Sequence, residues 1–375
     1  MVKILISGDY CPVNRADRLI KGERYSEIFN ESIQIFQDSD YSITNLECPI
    51  TTCGNKIQKA GAPHFRTSVN ALDALEYAGF NLVTLSNNHI MDYGVKGLES
   101  TLEHLNTSPL DYIGVGNSLL EARRIFYKTI NDEKFAIINI SENEWATTND
   151  DYPGANPLNI IANYYDITEA RVNARYVIVI VHGGHEYYPL PSPRMQETYK
   201  YFIDAGATAV IGHHTHCYSG YEIYKGSPII YSLGNFVFDW NGKRRSAWNI
   251  GTLAELELSN GQISFTLTPF YQFDDKPGLR RLTSDEEKEY NRNVTSLNSI
   301  ITDEVMLKKK YDEYIKDQSR LYESYLEPYS GRILSSLYFR KILPPILSIE
   351  RRKLILNIIR CESHRDIMIN VLNKS

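Results

Sequence analysis

Cysteine is scarce in this 375-residue chain, and its five copies, Cys11, Cys48, Cys53, Cys217 and Cys361, are odd in number and irregularly spaced. With no CxxC pair among them, they read as reduced thiols rather than a disulfide framework, and the ligand set of a structural zinc finger is missing. An excess of positive charge is missing too. Forty Lys and Arg stand against 46 Asp and Glu, a formal net charge of −6. No basic field is there to hold nucleic acid, so none is expected as a partner. Long apolar runs are also absent. The N-terminal MVKILISGDY has an apolar run too short for a signal-peptide core and far too short to span a bilayer, and no later run is long enough either. These absences predict a cytoplasmic protein without a membrane span. GVGN at 114–117 lacks the third glycine and the following acidic residue of a dinucleotide loop. No internal repeat or low-complexity tract appears.

What is present is a globular composition, 42% hydrophobic and 23% charged, long enough for a large domain and an appendage. Short apolar strands alternate with helical periods. KILISGD, YSITNLE, NLVTLSNN, RYVIVIVHGG and ATAVIGHH read as strands. Arg24–Phe36, VNALDALEYAGF, GLESTLEHL and MQETYKYFIDAG read as helices. Continuous apolar strands alternating with helices predict an α/β architecture with a largely parallel sheet. After Gly212, GYEIYKGSPIIYSLGN and TLAELELSNGQISFTLTPF read as hairpins with Lys-Gly and Asn-Gly turns, which adds antiparallel strands and a second sheet. Composition shifts near DDKPG. The expected division is a domain at 1–272 and a charged, helical C-terminal region at 273–375.

The polar residues fall in one kind of place. Asp9, Glu47, the run Asn87-Asn88-His89, His182, and the pair His214 and His216 each end or follow an apolar strand. Singly, each has an ordinary structural reading, as a turn, a cap or a hydrogen-bonded core side chain. Repeated at five strand ends, they predict a convergent site, because ligands bind outside the carboxyl ends of α/β strands. Mixed nitrogen and oxygen donors suit Mn, Fe or Zn better than Ca or Mg. Six donors, Asp9, Glu47, Asn88, His182, His214 and His216, exceed one tetrahedral site and fit two divalent transition metals sharing a carboxylate. Such a pair activates water for hydrolysis, most naturally at phosphorus. His89 lies beside Asn88, with Asp92 three residues on. A carboxylate there would raise its pKa and fix its tautomer, making His89 a general acid. The plain alternative for Asp92 is a helix cap near Tyr93. Arg66, favoured over Arg15, and Glu186 are candidates for substrate contact.

Gly8-Asp9, NLE ending at Glu47, NNHIMDYG (87–94), HGGHEY (182–187), GHHTH (212–216) and YSLGNFVFD (231–239), in this order, resemble the CapA family of poly-gamma-glutamate capsule biosynthesis proteins. That family lies within the calcineurin-like metallophosphatase superfamily, and the resemblance spans roughly residues 1–272. It implies a four-layer α/β/β/α sandwich of two mixed sheets, plus the helical C-terminal region. Asp9 would bind one metal, Glu47 would bridge both, and Asn88 and His182 would bind the other. His214 and His216 match the superfamily's paired histidines, and His89 matches its catalytic histidine. The implied activity is a dinuclear metal-dependent hydrolase, phosphoesterase-like, using a metal-activated hydroxide. Its substrate would be a small molecule or polymer of cell-envelope synthesis, with capsule-assembly proteins as partners. The superfamily's Asp-x-His element is here Asp9-Tyr10-Cys11, which leaves the first metal site a ligand short unless Cys11 supplies a thiolate; a packed thiol is the ordinary reading. Two other readings stay open: a non-catalytic accessory protein of capsule assembly, and an amide hydrolase acting on a gamma-glutamyl polymer.

Overall fold

The strand Val2–Tyr10 is buried along all but one of its residues, and the first sheet is built on it. Tyr41–Leu46 lies parallel on one side, followed by Leu82–Thr84 and Asp111–Ile113. Ile250–Ser259 lies antiparallel on the other, continued by Gln262–Gln272 and Leu279–Arg281. In the second sheet, Ala209–His213 and Tyr176–His182 run parallel at the centre, with Ser227–Ile230 and Glu133–Ser141 beside them. Tyr221–Tyr224 and Phe126–Ile130 form antiparallel edges. This is a computed structural model, and it describes residues 1–59, 62–149, 151–327, 329, 331–360, 364, 367, 368 and 372; Cys361 lies outside them.

Strand side chains alternate between faces, and the packing follows that alternation. Val2, Ile4 and Ile6 meet Ile178, Ile180, Ala209 and Ile211 in a cluster between the two sheets. On the outer face of the first sheet, Leu5 and Val83 pack with Leu72 and Leu75 of the helix Asn70–Ala78 and Leu98 and Leu105 of Gly94–Thr107. On the outer face of the second, Val177, Val179 and Val210 pack with Ile167 of Ile160–Asn173 and Phe202 of Pro193–Asp204. Helix, sheet, sheet and helix make the four layers that the resemblance implies.

The chain forms two compact units, Met1–Leu307 and Lys308–Ser375. The strand Leu279–Arg281 and the helix Ser284–Ile301, assigned by composition to the C-terminal region, therefore pack with the first unit. In the second unit the helices Arg332–Phe339 and Ile349–Arg360 follow the end of Glu304–Leu326. There the buried Glu327 carboxylate holds Arg352 at 3.0 Å. Among the described residues, no helix is long and apolar enough to cross a membrane.

Two local readings need correction. The helix expected over Arg24–Phe36 is three short pieces, Tyr25–Phe29, Asn30–Ser32 and Ile33–Gln37, broken where Asn30 takes φ 47°. The hairpin of Phe126–Ile130 and Glu133–Ser141, turning on left-handed Asn131 and Asp132, was not foreseen. The Lys-Gly and Asn-Gly hairpins form as expected, with Lys225, Gly226, Asn260 and Gly261 all at positive φ.

Candidate metal centre

The donors come from the carboxyl ends of strands in both sheets. The register between Val2–Tyr10 and Tyr41–Leu46 slips between Ile6 and Asp9. A Cβ on Gly8 would lie 1.9 Å from the carbonyl oxygen of Gly234. Only glycine allows that approach, which lets the Asp9 amide donate to Gly234 at 3.1 Å. The Gly8-Asp9 and SLGNF segments are thus pressed together. Across the gap, His182 and His213 are register partners at the ends of their strands. After His213 the chain turns sharply, with His214 at φ 90° and His216 at φ 54°. Left-handed backbone at two non-glycine residues is held only where the surroundings impose it, and such positions cluster at functional sites.

Two donor groups result. Glu47, His182 and His214 form one, and Asp9, Glu47 and His216 form the other; within each, the ligand atoms lie within 4.8 Å of one another. Glu47 belongs to both. Around His182 Nε2 are Asn88 Oδ1 at 3.1 Å, His214 Nδ1 at 3.1 Å and Glu47 Oε1 at 3.5 Å. Around Glu47 Oε1 lies also His216 Nε2 at 3.7 Å. All these side chains are buried.

Glu47 provides the test of whether a cation fits. Both its carboxylate oxygens are buried without a hydrogen-bond donor. Burial first, then the charges of Asp9 and Glu186, push its carboxyl well above the usual range. An unpaired buried carboxylate is costly, and cations of the class held by His and carboxylate donors supply the missing partner. The histidines agree: burial and neighbouring imidazoles push His182 and His216 well below the ordinary histidine range. They are held neutral, the form that binds a metal.

The residues behind the donors orient them. Asn45 Nδ2 donates to Asp9 Oδ1 at 2.7 Å, and the His214 amide donates to Asp9 Oδ2 at 3.0 Å. Asn87 ties its turn to Asn45 and to the Leu46 carbonyl. Asn235, in the SLGNF segment, lies 2.9 Å from His216 Nδ1, which leaves Nε2 on the Glu47 side. Asn45 and Asn235 escaped the sequence reading, although both sit within quoted motifs.

His89 and Asp92 are together. His89 Nδ1 is 2.8 Å from Asp92 Oδ2, which also accepts from the Phe65 amide at 2.7 Å. Asp92 does not cap the following helix, whose N-cap is Tyr93 with no side-chain bond. A third member was unforeseen. The Lys59 side chain, fully buried, pairs with Asp92 Oδ1, and its Nζ lies 3.3 Å from His89 Nδ1 and 3.4 Å from the Asn88 carbonyl. This corrects the expected direction for His89. Asp92 raises its pKa, but burial outweighs Asp92 and Lys59 opposes it, so His89 lies below the ordinary range.

The remaining candidates divide. Glu186 is exposed, and its charge reaches Glu47. Arg66 is engaged apart from the donors: it donates to the Thr52 and Cys53 carbonyls, lies over the Tyr93 ring and lines a cleft with Val13, Asn14, Thr51 and Thr67. Arg15 is spent on Asp239, through paired bonds of 3.0 and 2.9 Å. Cys11 is packed in the core with Cys48, its thiol pushed well up by burial and by Cys48. Cys11, Cys48, Cys53 and Cys217 are all free.

Comparison with known proteins identifies the family. Residues 3–240 match the model of the bacterial capsule synthesis protein PGA_cap family. The "PGA biosynthesis protein CapA" of Bacillus subtilis is 32% identical over 294 residues, 77% of this chain and 76% of that protein. The "Capsule biosynthesis protein CapA" of Bacillus anthracis is 34% identical over 230 residues, 59% of this chain and 56% of that one. A "Probable polyglutamine synthesis accessory protein" of Mycobacterium tuberculosis is 29% identical over 230 residues, 57% of this chain and 60% of that one. With a match that spans more than half its length and contains every one of the clustered donors, the chain belongs to the bacterial capsule synthesis PGA_cap family.

Proposed function

We propose that this chain is a dinuclear metal-dependent hydrolase, acting as a phosphoesterase in the synthesis of a capsule or related cell-envelope polymer. One observation carries the reading: two donor groups share the buried, unpartnered carboxylate of Glu47. Asn88, His182, His214 and Glu47 would hold one divalent cation, and Asp9, His216 and Glu47 the other. Mn, Fe and Zn suit this donor set. When bound, such a pair supplies Lewis acidity, which acidifies water and neutralises oxyanion charge.

The chain's own residues do the rest. Asp92 holds His89 at Nδ1, so Nε2 is the nitrogen free to carry a proton to a leaving oxygen. Burial holds His89 below the ordinary histidine range, so its imidazolium is a stronger acid than a free one and forms at lower pH. The Phe65 ring packs against His89 with centroids 4.6 Å apart, limiting water on that side. The capsule assignment rests on the names of the relatives.

The test is metal content by mass spectrometry, with Mn2+-dependent hydrolysis of aryl phosphate mono- and diesters. Replacing His89 by Ala should lower kcat by about 100-fold or more while metal content stays unchanged. A purified chain that neither binds a transition metal nor hydrolyses any phosphoester with one added sinks the proposal.

A second reading has its own support. With Cys11 packed in the core, the Asp9 side has three donors where the Asn88 side has four. An accessory protein holding one cation would look like this. It predicts one metal per chain at saturation and an indifferent His89→Ala.

A further inference from the structure

Two side chains of the donor group meet at Glu144, a residue outside every motif. Its Oε2 accepts from Asn88 Nδ2 at 3.4 Å, and its Oε1 lies 3.4 Å from His214 Nε2. Asn88 and His214 thus each present one end toward the donor group around His182 and the other to Glu144. For Asn88, Oδ1 faces His182 and Nδ2 faces Glu144. For His214, Nδ1 faces His182 and Nε2 faces Glu144. One carboxylate therefore specifies which way round both side chains stand.

The backbone that carries Glu144 is pinned to the same site. The Glu142 amide donates to the His182 carbonyl at 3.0 Å, and the Glu144 amide donates to the Glu142 carbonyl at 2.9 Å. Glu142 also accepts from the Gly184 amide at 2.9 Å, just beyond His182. A side chain 36% exposed could otherwise wander; this one starts from a fixed point. Carboxylates that grip the far side of metal-bound imidazoles fix ring orientation and strengthen the ligand.

We propose that Glu144 is a positioning residue of the metal centre, clamping Asn88 and His214 in ligand orientation from the solvent side. The inference rests on the metal-binding reading above but not on any activity.

The experiment is Co2+ titration of the full chain, read by visible absorption and competition with a chelating dye. Wild type, Glu144→Ala and Glu144→Gln are compared, with thermal unfolding of the apo forms as the check on folding. Glu144→Ala should weaken the affected site by about 10–100-fold, with unchanged stoichiometry at saturation, unchanged band positions and an apo unfolding midpoint near wild type. Glu144→Gln keeps one acceptor for two donors and should fall between. Affinity within twofold of wild type in Glu144→Ala overturns the inference. Loss of a bound metal, or a shifted band in both variants, overturns it in favour of Glu144 as a direct ligand. A wild-type chain that binds no Co2+ overturns the metal reading itself and this inference with it, an outcome distinct from the other two.

Discussion

At the scale of single residues, Lys59 shows how a site depends on groups that no motif announces. Its buried ammonium faces the buried Asp92 carboxylate, and both touch His89. Removing one member of a buried ion pair leaves the other uncompensated, at a cost of about 3–5 kcal/mol. Lys59→Met should therefore lower the thermal midpoint markedly and depress phosphoester hydrolysis. Lys59→Met combined with Asp92→Asn removes both charges and should recover much of the stability but none of the activity. A double-mutant cycle by chemical denaturation measures the coupling, and additive losses would refute it. The donors were legible in the sequence because each stands where an apolar strand stops. Lys59 and Glu144 were not, because a lone charged residue in an irregular loop has no periodicity to betray its burial or its aim. The sign of the His89 shift was illegible for a related reason: Asp92 is visible as a neighbour in sequence, while burial and Lys59 arise only on folding.

At the scale of elements, buried strands and their turns were the readable part, since apolar runs ending in Gly, Asn or His leave few alternatives. The pair Phe126–Ile130 and Glu133–Ser141 was harder, because the first strand is half exposed and has weak alternation. The helix Ser284–Ile301 has the clearest start signal in the chain. Thr283 accepts from the Glu286 amide at 3.4 Å while its own amide donates to Glu286 Oε2 at 2.8 Å, a reciprocal cap. Thr283→Ala should cost about 1 kcal/mol in denaturant unfolding. Glu286 is also gripped by Arg280 through bonds of 2.9 and 3.0 Å, which lowers its carboxyl to about 2. A depressed carboxyl contributes stability that is complete above its unfolded value of about 4.3 and is lost as pH falls through about 2. The group is largely solvent-screened, so its contribution is small, about 1 kcal/mol at most. Glu286→Gln should lower the neutral plateau by about that amount and flatten that part of the acid limb between pH 4 and 2, the two proteins converging at low pH. An acid limb identical to wild type would contradict the assignment.

At the scale of the whole molecule, the candidate metal centre sits where the two sheets meet. Asp9 lies near the end of the strand Val2–Tyr10 and Glu47 follows Tyr41–Leu46 in the first sheet, and His182 ends Tyr176–His182 and His214 follows Ala209–His213 in the second. Below them the sheets meet through an apolar cluster that includes Val2, Ile4, Ile6, Ile178 and Ile211; at the top lies a carboxylate without a hydrogen-bond donor. On the proposed reading, the metal-free protein bears a cost at Glu47 that a bound cation would relieve. An unsatisfied buried polar group costs about 1–3 kcal/mol, and more when charged. A ligand that binds only the folded chain adds about 2.7 kcal/mol at a hundredfold excess over its Kd. Glu47→Gln separates the two effects. The variant should unfold at a higher temperature than wild type when both are stripped with chelator, because wild type must take up a proton at Glu47 or bury its charge to fold and a neutral amide avoids both. With Mn2+ in excess the order should reverse, because only wild type gains from the metal. Differential scanning calorimetry with and without Mn2+ reads both comparisons. If Glu47→Gln lowers the midpoint of the stripped protein, Glu47 already has a compensating partner there, and the shared carboxylate is not what draws two cations between the sheets.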